Sequence, residues 1–322
     1  MPSISAIFAP ALLASSLSFA YPVPMGQSIA PGSLTDSDSD TVTIDEDRVR
    51  RMTVPVSIEG RGPFSFVIDT GAERTVVSEM IAERLGLEAE EQAELISIAG
   101  RSMVDMVYVP ELTMGRKSYG SLIAPVLKGR HIGADGILGL DSLQNRRVLF
   151  DFLNKELSVE NADAASSTRG YREIIVTGKR RSGQLIFTKA TVSGIPVDVV
   201  IDTGGEVTIG NFALQRKLRR QARDGDQSSL IAVTGETLGV DMGLVRDFRM
   251  DRAGFANMLV AFADAPPFKQ LNLERKPAIL LGMDTLRKFD KVAIDFEKRR
   301  VHLVLPKEAM RFEGIGAKKG RF

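Results

Sequence analysis

The 322-residue chain contains no cysteine. Disulfides, thiolate nucleophiles, cysteine-ligated zinc and a lipoprotein anchor are therefore excluded. Histidine is scarce too, with only His131 and His302. Two histidines cannot build a histidine-rich metal site, and neither lies in a recognisable triad motif, so both read as surface or hydrogen-bonded side chains. An excess of one charge is also missing: 42 basic and 41 acidic residues leave a net charge of +1. No global field draws in nucleic acid or an anionic membrane. The basic runs Lys179–Gly183, Arg216–Arg220 and Lys318–Phe322 have acids nearby and read as solvated surface.

What is present is an ordinary globular composition, 43% hydrophobic and 26% charged, long enough for two domains. Residues 1–20 carry no acidic or basic side chain, and an apolar core from Ile4 to Leu17 ends in Ser18-Phe19-Ala20. That small-x-small ending suits signal peptidase, and the run is short for a membrane span of ~20 apolar residues. A basic leading region is absent and Pro10 interrupts the run. The segment reads as a signal peptide cleaved near Ala20, which implies export, to the periplasm, with no other integral membrane segment. Residues 21–47 are polar and acidic, as a flexible linker is. Asp36, Asp38, Asp40 and Asp47 have calcium-loop spacing, but Thr41 stands where the loop needs glycine, and Asp47 replaces the bidentate glutamate. No metal site is assigned.

The rest of the chain is written twice. Residues 48–161 begin with a β-hairpin pattern that runs into Phe66-Val67-Ile68-Asp69-Thr70-Gly71. A helical pattern from Val76 to Leu87 follows, then short strands, then Ile137-Leu138-Gly139 and a strand pair. Residues 162–171 are small and polar, as a linker between halves is. Residues 172–306 repeat the order, and 307–322 form a basic tail. Pro63, Asp69 and Thr75 recur 133 residues later as Pro196, Asp202 and Thr208, whereas Gly139 recurs 143 later as Gly282. The chain is an internal duplication whose second copy holds a longer mid-section.

One acid on a glycine turn is unremarkable, because aspartate and glycine both favour turns. The same acid at the same turn in both copies is different, since a purely structural duplication has no need of it. The paired Asp-Thr-Gly, each followed by apolar-apolar-Gly, resembles the retropepsin-like aspartic peptidases, in particular the bacterial, exported, two-lobed single-chain kind. The resemblance spans Arg48 to about Leu303. It implies an all-β fold with a few short helices, built as two tandem lobes related by a pseudo-twofold axis. The activity it implies is that of an aspartic endopeptidase without metal or organic cofactor, with Asp69 and Asp202 as the catalytic pair.

By the same resemblance, Thr70 and Thr203 bond the backbone of the opposite turn, while Gly71 and Gly204 let amides approach the carboxylates. Ala72 and Gly205 complete the turns. Asp141 and Asp284 read as helix N-caps. The segments around Ala99-Gly100-Arg101 and Thr234-Gly235-Glu236 read as hairpin flaps over a polypeptide substrate. The chain would act as a monomer, an intramolecular pseudo-dimer. Three alternatives stay open: a peptide-binding module that has lost hydrolysis, an obligate homodimeric peptidase, and a self-processing precursor that removes Arg48–Met52 or the linker before it. Neither Ala72 nor Gly205 carries the hydroxyl that would stabilise an ionised pair, so a rate optimum at about pH 5–7 is expected.

Overall fold

The computed structural model describes residues 12–13, 39–43, 52–161, 173–218 and 223–306. Most of the segment read as a signal peptide, the inter-lobe linker 162–171 and the basic tail 307–322 lie outside the described residues. Among those described, β-strands dominate and the helices are short.

The first lobe starts as the sequence predicts, with the hairpin Thr53–Ile58 and Arg61–Ile68. Burial alternates early along Arg61–Ile68 and becomes continuous at Phe66, Val67 and Ile68. Phe66 and Ile68 join the main core, and all three residues run parallel to Gly136–Leu138, as Phe66↔Gly136, Val67↔Ile137 and Ile68↔Leu138. A strand covered on both faces needs apolar side chains on both. Val76–Ser78 pairs antiparallel on the far side of Gly136–Leu138. The predicted helix is accordingly shorter than its pattern. Val76 and Val77, both β-branched, belong to the sheet, and Ser78 caps a helix over Glu79–Leu85 by accepting a hydrogen bond from the Ile81 amide (3.3 Å). The lobe forms a seven-stranded sheet that curls until Thr53–Ile58 also pairs with Arg101–Met114.

The second lobe repeats this plan. Ile195–Ile201 runs parallel to Ala278–Leu281, and Ile209–Gly210 pairs antiparallel with the latter. Asn211 caps the helix Phe212–Leu218 through the Leu214 amide (2.9 Å). The extra residues of the second copy fall largely in the loop 263–277, which carries the helix Pro266–Gln270; the first lobe has only Gly129–Ile132 at the corresponding place. The two-residue strand Leu12–Leu13, within the segment read as a signal peptide, pairs with Leu230 and Ile231. The sheet edge formed by Ser39–Thr43 pairs with Glu156–Glu160, so part of the stretch read as linker is a strand.

A six-stranded sheet is shared by both halves. At its centre Arg146–Asp151 runs antiparallel to Lys291–Asp295, which puts Lys291 opposite Asp151 and Arg147 opposite Asp295. Lys291 Nζ lies 2.6 Å from Asp151 Oδ2, with side chains only 8% and 4% exposed. Arg147 also lies 3.7 Å from Glu160. Both aspartates close turns of the same kind, accepting from the amides of Asn154 (3.1 Å) and Lys298 (2.7 Å). The lobes are thus tied by backbone hydrogen bonds and buried charge as well as by the chain. Part of the basic run at Lys179–Arg181 is equally structural: Arg180 donates to the Phe296 carbonyl and Arg181 to that of Leu271.

Candidate active site

Asp69 and Asp202 sit at equivalent places, each one residue beyond a buried strand. The backbone there is held by the adjoining strand, since the Asp69 amide donates to the Leu138 carbonyl and the Asp202 amide to that of Leu281, both at 3.0 Å. Both acids are buried, at 0% and 3% exposure. Asp69 Oδ1 accepts from the amides of Gly71 (2.7 Å) and Ala72 (3.0 Å), and Asp202 Oδ1 from that of Gly205 (3.0 Å).

The two turns face each other through their threonines. Thr70 Oγ1 donates to the Ile201 carbonyl (2.7 Å) and accepts from the Thr203 amide (3.2 Å). Thr203 Oγ1 donates to the Ile68 carbonyl (2.8 Å) and accepts from the Thr70 amide (3.0 Å). Each hydroxyl therefore satisfies one donor and one acceptor of the opposite turn, which serine could do and valine could not. Gly204 also reaches across: a Cβ added there would overlap the Asp69 carboxylate. Glycine at this position permits the close approach of the two lobes.

Asp141 and Asp284 differ from their reading as N-caps. The caps are Gly139 and Gly282, and the aspartates stand inside the helices Leu140–Leu143 and Met283–Leu286. They serve the turns instead. Asp141 accepts from Thr75 Oγ1 (2.7 Å) and the Thr75 amide (2.9 Å), while Asp284 accepts from Thr208 Oγ1 (2.7 Å). The same two threonine hydroxyls accept from the amides of Gly139 and Gly282. Each network locks the segment after the acid to the apolar-apolar-Gly strand. Burial pushes the Asp284 carboxyl above its ordinary value, against the hydrogen bonds from Thr208 and Thr285.

Both segments read as flaps are turns of long hairpins, Ala89–Ile96 with Arg101–Met114 and Arg223–Ile231 with Thr237–Met250. The two tips meet. Ser102 Oγ donates to Glu236 Oε1 (2.7 Å), Thr234 Oγ1 to Ser97 Oγ (3.3 Å), and a Cβ added to Gly100 would stand 3.0 Å from Glu236 Oε2. Arg101 instead pairs with Glu94 of its own hairpin at 2.7 Å. Beside them, Ile98 and Val233 cross to the opposite lobes. Ile98 is buried with Val207, Ile209 and Phe268, and Val233 with Ala72, Val76 and Ile137.

Sequence reading missed Ile98 and Val233, although each lies two residues before the glycine of its tip. It also missed two neighbours of the first turn. Gln184, fully buried, donates to the Gly71 carbonyl (2.7 Å); nothing in its local pattern marks it. Glu73 stands four residues after Asp69, and burial, opposed by the Arg74 charge, pushes its carboxyl up to about 7. Its Oε1 is buried without a hydrogen-bond partner among the described residues. His302 bonds to Glu173 (2.6 Å), and His131 lies under the second hairpin tip. Among the described residues no three histidine, aspartate or glutamate side chains gather as a metal cluster.

No curated protein matches the chain. The model of the aspartyl protease family matches it twice, over residues 54–142 and 188–285, one match in each lobe and each containing one Asp-Thr-Gly turn. With more than half of its length matched, in two β-lobes that join at their Asp-Thr-Gly turns, this chain belongs to the retropepsin-like aspartyl proteases.

Proposed function

We propose that the protein is an aspartic endopeptidase with one active site per chain, formed by Asp69 and Asp202 acting as a single dyad. The observation that carries this reading is the reciprocal bonding of Thr70 and Thr203, together with Gly204 lying against the Asp69 carboxylate. Two carboxylates brought together in a buried cleft cannot both ionise, so they share a proton over the working range. The ionised member takes a proton from a water held between them, and that water attacks the peptide carbonyl. The protonated member donates to the carbonyl oxygen as the tetrahedral intermediate forms. Acid and base belong to the pair as a unit.

In this reading the substrate is an extended polypeptide that binds by strand addition between the hairpin tips and the turns, with apolar side chains preferred at the cut. The shared six-stranded sheet favours a monomer, because the two half-sites are already joined within one chain. The uncharged segment 1–20 supports export to the periplasm after cleavage near Ala20. The test is incubation of purified protein with a random peptide library, with and without a statine inhibitor and with and without a chelator. The expected result is internal cleavage that the statine stops and the chelator leaves unchanged. Absence of cleavage would favour the peptide-binding alternative.

A further inference from the structure

The turn of the second hairpin, Ala232–Glu236, reaches across to the helix Gly129–Ile132 of the first lobe. There Gly235, at φ +88°, rests on the His131 imidazole: an added Cβ would overlap Cε1 and stand 2.7 Å from Nδ1. Val233 is fully buried among Ala72, Val76, Leu95, Leu127, Ile132 and Ile137 of the first lobe. Glu236 completes the seat through its bond to Ser102. The arrangement is one-sided, because the equivalent Gly100 faces the Glu236 carboxylate and not a ring.

We infer that His131 is a positioning residue for this hairpin: its neutral imidazole seats the turn in the closed position, and protonation unseats it. Arg130 Nε donates to His131 Nε2 (3.2 Å), so that nitrogen must present a lone pair. The remaining nitrogen, Nδ1, therefore carries the proton of the neutral ring; it is buried, and the ring faces the Val233 main chain. A second ring proton would point Nε2–H at the Arg130 N–H and break that bond.

The charged groups facing the ring are Arg130 and Lys128 on its own segment and Glu79 from the helix Glu79–Leu85; from the turn comes the Val233 main chain. Burial, then Arg130 and Lys128, lower the imidazole below its ordinary value of 6.5, and Glu79 and Val233 oppose them. Lifting the turn returns water to the ring and removes the burial effect, so the open form binds the proton more readily. The closed form is therefore fully favoured above the ordinary histidine value and loses that advantage as pH falls through the lower, closed-state value. The inference deepens the peptidase reading by naming what holds one hairpin shut, but its test needs no substrate.

Hydrogen–deuterium exchange of the full chain, corrected for intrinsic rates, measures closure in peptides covering Leu230–Leu238 at about pH 7.5 and about pH 5.5. Each unit of pKa difference between open and closed forms is worth up to about tenfold in the closed-to-open ratio. Protection of the turn should fall severalfold on acidification in the native protein. His131→Gln should abolish that pH response, and Glu236→Gln should retain it, which separates the two titrations. Gly235→Ala, which cannot rest on the ring, should show low protection at both pH values. Equal protection of the native turn at both pH values, or an unchanged response in His131→Gln, would overturn the inference. A native turn that responds as expected in a protein that cleaves no peptide would overturn the peptidase reading alone.

Discussion

Valine has nearly the shape of threonine but no hydroxyl. At position 203 it would remove the donor to the Ile68 carbonyl and the acceptor of the Thr70 amide. Residues 68 and 70 are both buried, so water cannot replace either bond. An unsatisfied buried polar group costs about 1–3 kcal/mol. Two of them imply a loss of about 2–6 kcal/mol, a large part of the ~5–15 kcal/mol that holds a protein folded. Thr203→Ser keeps both bonds and gives up one buried methyl, about 1 kcal/mol. Urea unfolding followed by far-UV circular dichroism would measure both variants, together with Thr70→Val and the double valine variant. Because each hydroxyl bonds the other turn, the double variant should lose less than the two single losses added together. If Thr203→Val unfolds within ~0.5 kcal/mol of the native protein, the range of an ordinary surface change, the threonines do not hold the turns together.

Lys291→Met should destabilise by about 3–5 kcal/mol, because it strands the Asp151 carboxylate inside the shared sheet, and urea unfolding would measure it. Burial works against the Asp151 charge, but the bonds from Lys291 and Asn154 outweigh it and hold the carboxyl below its usual value of 3.8. A depressed carboxyl contributes stability above its unfolded value and loses it as pH falls through the folded value, so the gap between native and Lys291→Met should shrink in acid. Glu73 has the opposite sign. Its carboxyl, raised from 4.5 to about 7, favours the folded state when protonated, so stability should decline as pH rises between those values. Thermal melts of Glu73→Gln should show a flatter dependence, with the variant gaining most above neutrality. Ala72→Ser adds a hydroxyl next to an amide that already bonds Asp69, and the acidic limb of the kcat/KM profile should move to lower pH.

The repeat made much of this molecule legible. Asp69 and Asp202 on their turns, the threonines between them and the glycine-tipped hairpins all carry local signatures that the duplication doubles. What stayed hidden depends on partners distant in sequence. The strand Arg146–Asp151 shows that it is a strand, but nothing in it names Lys291–Asp295 as its neighbour. Val76 and Val77 fit a helical spacing and still join a sheet, because Gly136–Leu138 offers them an edge. Asp141 looks like a cap by its place after glycine, and only the fold reveals Thr75 as its donor. Gln184 joins the site from 113 residues away, through a single carbonyl.

One dyad per chain, with one acid from each copy, is what sets this reading apart from a site built between two chains. The most direct measurement is peptide turnover by Asp69→Asn and Asp202→Asn, each alone and then mixed in equal amounts, with circular dichroism confirming that both fold. Each variant alone should be inactive and the mixture should stay inactive, since neither chain holds a complete pair. Near-native turnover by either variant alone, or activity restored by mixing them, would contradict it and point to a site built between two chains.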